Sequence, residues 1–350
     1  MMEQPRRNKG APGHPAFDPG NIASIVAGRM SVERQEVVRR LGAVKSHYVE
    51  SGRDAYVEEQ FETFTEEIFA VLDDGMRDEG RLFLVTGESG AGKTAIVRRV
   101  LAESEVFQPI VTDYGTINPV ITVRLSGPCT LGTLGRRILK AAGYPLRREI
   151  SVKDMWEEMS DHLMTRGVML VHLDETQHMV HLTEKDQDRK NLAKALKDVV
   201  NKREWPVSFL LTGLPHTNQI ASLDPQIARR GYFLELPTIA GDADRDFVER
   251  AVREFCEVAG IAPTGGIGSD MPERIVHVAD GQFGRACQVI AAAIHEALKE
   301  RGLVLTRAHF AQAYWARSHS VPDDAMNPFL VDDFRRILPG TFLNAYEDET

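Results

Sequence analysis

Apolar and polar positions along this chain change their period twice. From Ser31, the stretches SVERQEVVRRLGAVKSHYVESG and DAYVEEQFETFTEEIFAVLDDG place apolar residues three and four apart, the spacing of amphipathic helices. From residue 81 the pattern alternates between short apolar runs and helical stretches. LFLVT is followed by TAIVRRVLAE, and NPVITVRLSG by TLGTLGRRILKAAG and SVKDMWEEMSDHLMTRG, the last with Ser151 placed as its cap. VMLVHLDE is followed by KDQDRKNLAKALKDVVNKR, VSFLLTG by a short helix and DPQIARR, and YFLELP closes the series. Unbroken apolar strands suit a sheet covered on both faces. Strand and helix in strict alternation over 81–236 predict an α/β fold, a doubly wound parallel sheet of five strands. From residue 241 the period is helical only, in DADRDFVERAVREFCEVAG, MPERIVHVAD, GRACQVIAAAIHEALKERG and TRAHFAQAYWARSH, which predicts a compact helical lid.

The expected organisation is a disordered arm over 1–30, helices over 31–80, an α/β core over 81–240, a lid over 241–320 and an acidic tail over 321–350. In that tail Phe329, Leu330, Phe334, Ile337 and Phe342 read either as part of a disordered end or as a segment that docks on a partner. At 350 residues with 43% apolar and 27% charged content, the chain has the make-up of a globular protein with a substantial core. No apolar run approaches the roughly 20 residues that cross a bilayer, and the start lacks the apolar core of a secretory signal, so the expected location is cytoplasmic. Three widely spaced cysteines, Cys129, Cys256 and Cys287, offer neither a disulfide framework nor a metal pair.

The net charge of −9 is unevenly spread. Seven acidic and two basic residues after residue 322 make the tail −5. Seven basic residues between Arg124 and Lys153 (Arg124, Arg136, Arg137, Lys140, Arg147, Arg148, Lys153) against the single acid Glu149 make that segment +6. It reads either as a solvated helical surface or as a surface that contacts phosphate, since local charge sets the field a duplex meets.

Chemistry enters at GESGAGKT, Gly87 to Thr94, which fits the phosphate-loop template. Gly87, Gly90 and Gly92 let the backbone turn tightly around phosphate oxygens, with Glu88, Ser89 and Ala91 between them and Ala95 just beyond. Lys93 would reach the β and γ phosphates and the Thr94 hydroxyl would ligate Mg²⁺. VHLDE adds an acid pair at the carboxyl end of an apolar strand, where ligands sit in open α/β sheets. Asp174 would hold Mg²⁺ and Glu175 would polarise the attacking water, so the expected activity is an NTPase. His172, His178 and His181 surround this strand end, but H-x5-H-x2-H fits no common zinc pattern and packing or surface roles are expected. Arg229 and Arg230 lie just before the fifth strand, where a neighbouring subunit could present a guanidinium to the γ phosphate. Arg285 starts a lid helix, and any of these arginines could equally be a surface residue.

With GESGAGKT, VHLDE, LLTG, DPQIARR, GQFGRACQVIAAAIHEAL and a late NPF in this order, the chain resembles the AAA+ ATPases, and within them the transposition regulators of the TniB, TnsC and MuB type. The resemblance spans residues ~40 to 330. It implies an AAA+ P-loop core with a small helical lid and a subunit that binds ATP and Mg²⁺. Such subunits assemble as rings or helical filaments on double-stranded DNA, engage a DDE-type transposase and a TniQ-like target-selecting protein, and dissociate after hydrolysis. The setting so implied is the bacterial nucleoid. Carried over by motif, Arg230 looks like the trans-acting finger, Arg285 the second sensor and Thr212 the first. Thr133, Arg136, Arg137, Ser151 and Lys153 look like contacts to the DNA backbone. Two departures stand: the fourth strand ends LTGL where the family usually has Gly-Thr, and the Arg229-Arg230 doublet leaves the identity of the finger open. The alternatives are a signalling-type (STAND) NTPase switch acting on a protein without DNA, and a small-molecule kinase.

Overall fold

A computed structural model describes residues 19–113, 115–144, 150–183, 185–240, 244–263, 268–318 and 324–339. In chain order it places helices α1 (Pro19–Ala27), α2 (Val32–Ser46) and α3 (Gly52–Phe69), strand β1 (Leu82–Thr86) and helix α4 (Lys93–Glu103). A hairpin of β2 (Ile110–Thr112) and β3 (Gly115–Ile117) precedes β4 (Val120–Arg124), α5 (Leu131–Ala141), α6 (Val152–Glu157) and α7 (Met159–Met164). Then come β5 (Leu170–Asp174), α8 (Asp186–Val200), β6 (Ser208–Gly213), α9 (Pro225–Ala228) and β7 (Gly231–Glu235). The remainder is α10 (Arg245–Ala259), β8 (Ala262–Pro263), α11 (Met271–Val278), α12 (Phe283–Lys299), β9 (Val304–Leu305) and α13 (Arg307–Arg317). Contacts divide the chain into two compact units, one of residues 50–239 with 282–285, the other of residues 1–49, 240–281 and 286–350.

The first unit is built on a five-stranded, wholly parallel sheet in the order β4-β5-β6-β1-β7. Alternation along each strand sends successive side chains to opposite faces. Leu82, Leu84, Ile121, Val123, Val171, Leu173, Phe209 and Leu211 point to the layer of α5 to α8. Phe83, Val85, Leu170, Leu210 and Leu234 point to α3 and α4, where Phe61, Phe64 and Phe107 complete an aromatic cluster. Both faces are covered, as the unbroken apolar strands predict.

The departures from the sequence reading are local: Pro19–Ala27, inside the expected disordered arm, form α1, and the stretch read as helical only from residue 241 holds the short parallel pair β8–β9. The stretch SVKDMWEEMSDHLMTRG breaks at Glu158 into α6 and α7, while the hairpin β2–β3, three residues per strand and with Val111 84% exposed, carries no apolar period to reveal it.

In the second unit, Arg40 of α2 donates to the carbonyls of Ala259 (2.5 Å) and Gly260 (2.7 Å), fixing α2 against the end of α10. Residues 324–339 pack on the unit's own helices. Asn327 donates to the Ala311 carbonyl at 3.0 Å, Phe329 packs tilted against Phe310 and edge-on to Tyr314, and buried Arg274 holds the carbonyls of Pro328 and Val331. Phe329, Phe334 and Ile337, read from the sequence either as part of a disordered end or as a docking segment, bury their apolar surface in the chain itself. Leu330 stays partly exposed, and Phe342 lies outside the described residues.

Candidate functional site

The phosphate loop follows β1 and runs into α4, of which Lys93 and Thr94 are the first two residues. Gly90 (φ +85°) and Gly92 (φ +95°) take left-handed backbone conformations, and a Cβ at Gly90 would overlap the Arg285 side chain. Gly284 lies equally close, since its Cβ would stand 2.7 Å from the Gly90 carbonyl oxygen. Within the loop the Ala91 amide donates to the Glu88 carbonyl at 3.0 Å and the Ala95 amide to that of Gly92 at 3.0 Å, while Glu88, Ser89 and Ala95 are exposed. Lys93 Nζ spans the loop, donating to the carbonyls of Gly87 (2.7 Å) and Glu88 (2.9 Å). Burial pushes the Lys93 ammonium below its usual pKa, against the pull of Glu175, Glu88 and Asp174.

The acid pair stands at the carboxyl end of β5. Period two along that strand puts Leu170, His172 and Asp174 on the α4 face, so Asp174 meets the first turn of α4. Three donors converge on it: Thr94 Oγ1 at 3.1 and 3.2 Å from its two oxygens, Thr212 Oγ1 at 2.6 Å from Oδ1, and the Glu175 amide at 3.1 Å. Thr94, Asp174 and Thr212 come from α4, β5 and β6, and the parallel register brings Asp174 opposite Thr212. Thr212 is therefore joined directly to the acid pair despite the LTGL order.

Glu175 has φ +62°, uncommon for a residue with a side chain. Its carboxylate is held by Gln177 Nε2 and by Arg124 Nη2 at 3.5 Å. His172 is buried, and burial drives its pKa down to about 4 against the opposing charge of Asp174, so the ring is neutral near pH 7. Among the described residues no three His, Cys, Asp or Glu side chains gather as metal ligands, and the His181 side chain lies outside them.

Arg285 lies against the loop through its own amide, which donates to the Gly90 carbonyl at 3.1 Å. Beside it is a residue that sequence reasoning missed. Arg53 of α3 stacks on the Phe283 ring (3.9 Å) and donates to the carbonyls of Ala91 (3.2 Å) and Pro237 (3.4 Å). No motif marks it, because its partners are 38, 184 and 230 positions away in sequence.

The candidate DNA contacts gather at two helix starts. A Cβ on Gly132 would meet the Val152 side chain at 2.9 Å, and Trp156 Nε1 donates to the Leu131 carbonyl at 3.1 Å, so α5 and α6 begin side by side. Thr130 caps α5 through the Thr133 amide (3.1 Å), and Ser151 caps α6 through the Asp154 amide (3.1 Å). Arg136 and Lys153 are exposed, whereas Arg137 is half-buried and reaches the Ser126 carbonyl at 3.4 Å. Arg147 and Arg148 lie outside the described residues. Arg229 and Arg230 stand at the opposite edge of the sheet, just before β7. Arg230 is ion-paired to Glu79 and bonded to Asn201, while Arg229 is exposed with one 3.4 Å contact to the Pro225 carbonyl.

A family model described as "Bacterial TniB protein" matches residues 48–240, more than half of the 350. The chain belongs to the TniB family. A search of the curated proteins finds no match. Among solved structures, this TniB-family chain is similar to the ADP form of the Aeropyrum pernix ORC2 protein, with TM-score 0.55 and 16% identity over 82% of this chain and 74% of that one. It is also similar to the Aeropyrum pernix ORC1 protein in complex with DNA, with TM-score 0.53 and 18% identity over 79% and 69%. A third is Cdc6p from Pyrobaculum aerophilum, with TM-score 0.54 and 12% identity over 79% and 70%. At these identities the likeness establishes the fold, that of the AAA+ ATPases. No helix among the described residues is long and apolar enough to cross a membrane.

Proposed function

We propose that this chain is an ATP- and Mg²⁺-dependent ATPase that assembles with copies of itself on duplex DNA and regulates a DDE-type transposase, with a TniQ-like target-selecting protein as a further partner. One observation carries the hydrolytic half: Thr94, Asp174, Glu175 and Thr212 converge at the carboxyl edge of the sheet beside the Lys93 loop. Thr94 and Asp174 present only hard oxygen donors, which fits Mg²⁺, an ion that takes few protein oxygens and completes its shell with phosphate and water. When bound, the ion would offset charge on the phosphate oxygens. Lys93 holds the phosphates, Thr212 orients Asp174, and Glu175 takes the proton of the attacking water.

The DNA half rests on the adjoining starts of α5 and α6 inside the basic segment. Helix N-termini and exposed Arg136 and Lys153 suit backbone phosphates, which carry affinity without reading sequence. Arg124 joins the two halves, because the guanidinium that heads the basic segment also holds Glu175. A phosphate that draws Arg124 away releases Glu175 for the water, so DNA stimulates hydrolysis. Of the arginine doublet, exposed Arg229 is the stronger trans finger, since Arg230 is engaged by Glu79 and Asn201.

The test is ATP hydrolysis with and without duplex, together with binding of ATP-loaded protein to duplex across a salt series. DNA-stimulated hydrolysis and steeply salt-dependent, sequence-independent binding are expected. Absence of affinity for duplex at low salt would overturn the DNA reading, and absence of hydrolysis the ATPase reading.

A further inference from the structure

Behind the acid pair lies a histidine bonded through both ring nitrogens, which none of the roles above uses. His172 is 3% exposed, two residues before Asp174 on the same face of β5. The register sets Thr122 of β4 opposite His172 and Thr212 of β6 opposite Asp174. Nδ1 of the ring is 3.2 Å from Thr122 Oγ1, and Nε2 is 3.2 Å from Thr212 Oγ1. Those two distances do not say which nitrogen carries the proton.

The far end of the chain does. An ionised carboxylate only accepts, and Thr212 Oγ1 is 2.6 Å from Asp174 Oδ1. The one hydroxyl proton of Thr212 is therefore committed to Asp174. Its bond to the ring must use an oxygen lone pair, so Nε2 donates. In a neutral ring Nδ1 is then bare, and the Thr122 hydroxyl donates to it. Three donors on three adjacent strands thus point their protons one way, from Thr122 through His172 and Thr212 to the accepting Asp174. Each bond polarises the next; His172, Thr212 and Asp174 are buried, and Thr122 stands at the exposed end of the run.

We propose that His172 is a positioning residue which, acting through an Nε2-protonated ring aligned by Thr122, holds the Thr212 hydroxyl on Asp174. The proposal rests on the ATPase reading for its consequence in turnover. Nucleotide affinity should be spared, because Lys93 bonds only the carbonyls of Gly87 and Glu88, and the phosphate loop meets this run at its last member alone, where Thr94 donates to Asp174. Outer partners of this kind typically change activity about tenfold to a hundredfold. The variants are His172→Leu, which removes the ring nitrogens, His172→Gln, whose amide N–H can stand in for Nε2, and Thr122→Val, which removes one hydroxyl at nearly constant shape.

The imidazole ¹⁵N resonances of the nucleotide-free full-length protein are recorded first. A protonated Nε2 with a bare Nδ1, and resonances that move in Thr122→Val, support the proposal; a ring protonated on Nδ1 alone overturns it. ATP turnover and ADP affinity are measured next. His172→Leu should lower kcat about tenfold with ADP affinity within about twofold of the parent, and His172→Gln should recover most of the loss. Unchanged kcat in both His172→Leu and Thr122→Val overturns the proposal. If His172→Leu fails to bind ADP, Thr122→Val carries the turnover test. Absence of ATP hydrolysis by the unaltered protein sinks the functional reading instead, and the nitrogen resonances still decide what His172 does.

Discussion

Glu175 is the residue at which the acid pair and the basic segment meet. Its carboxylate is shared between Gln177 and Arg124, and the Arg124 side chain is 74% exposed. Exposed pairs contribute about 0.2–1 kcal/mol, so Arg124→Ala should raise DNA-free hydrolysis by no more than about fivefold while lowering the stimulation that duplex adds. Steady-state ATPase assays with and without DNA check this; unchanged stimulation would separate Arg124 from the switch. Glu175→Gln should cut hydrolysis by roughly a hundredfold or more with nucleotide binding retained, whereas Lys93→Ala should abolish binding, as equilibrium titration with labelled ATP would show. Lys93, Thr94, Asp174 and Glu175 were legible because their chemistry demands fixed local spacing and a strand end. Arg53 and Thr122 were not, since each acts on a partner brought near only by the sheet or by a distant helix.

At the scale of elements, α5 divides its arginines by burial. Arg136 lies free on the surface, while Arg137 turns back to Ser126 where the chain leaves β4. Arg136→Ala should therefore lower the slope of log affinity against log salt by about one, and Arg137→Ala should lower thermal stability as well as DNA affinity. Fluorescence anisotropy over a salt series, paired with thermal melts, distinguishes the two. The closing segment makes a second element-scale case. Arg274 is 3% exposed and satisfies two tail carbonyls and Asp270, so Arg274→Ala should cost about 3 kcal/mol in its unit, read by denaturant unfolding. Burial alone would raise the Asp270 pKa, yet the bond and charge of Arg274 and the charge of Arg307 outweigh it and hold the group below the ordinary carboxylate range. A depressed folded pKa means that the Asp270 contribution is present above the unfolded value and is lost as pH falls through the folded one. Asp270→Asn should therefore flatten the acid limb of the melting temperature. The five core strands and their helices were legible from period alone. The β2–β3 hairpin is too short and exposed to carry a period, and the packing of Phe329 on α13 is a tertiary event that apolar spacing cannot assign to self or partner.

For the whole molecule, the place of the arginine doublet argues for assembly. Every strand of the sheet is parallel, with the phosphate loop at the carboxyl edge and Arg229 and Arg230 at the amino edge, where the Arg230 carbonyl accepts from the Leu82 amide. Five residues of β1 separate the edges by about 16 Å, which exceeds the reach of an arginine side chain. Neither guanidinium can serve its own site, so a role at the γ phosphate requires a second subunit. Arg229→Ala should then lose hydrolysis while keeping ATP affinity, and Arg230→Ala should chiefly lower stability by unpairing Glu79 and Asn201. Mixing makes the trans requirement explicit. Arg229→Ala subunits have a complete acid pair but present no finger, and Glu175→Gln subunits present a finger but hydrolyse nothing. In a random equimolar assembly of the two inactive variants, about one interface in four joins an intact site to an intact finger, so about a quarter of the parental rate should return. Recovery on mixing, measured on DNA with ATP at saturation, is the outcome that only a shared site gives; a mixture as inactive as its components would return Arg229 to an ordinary surface role.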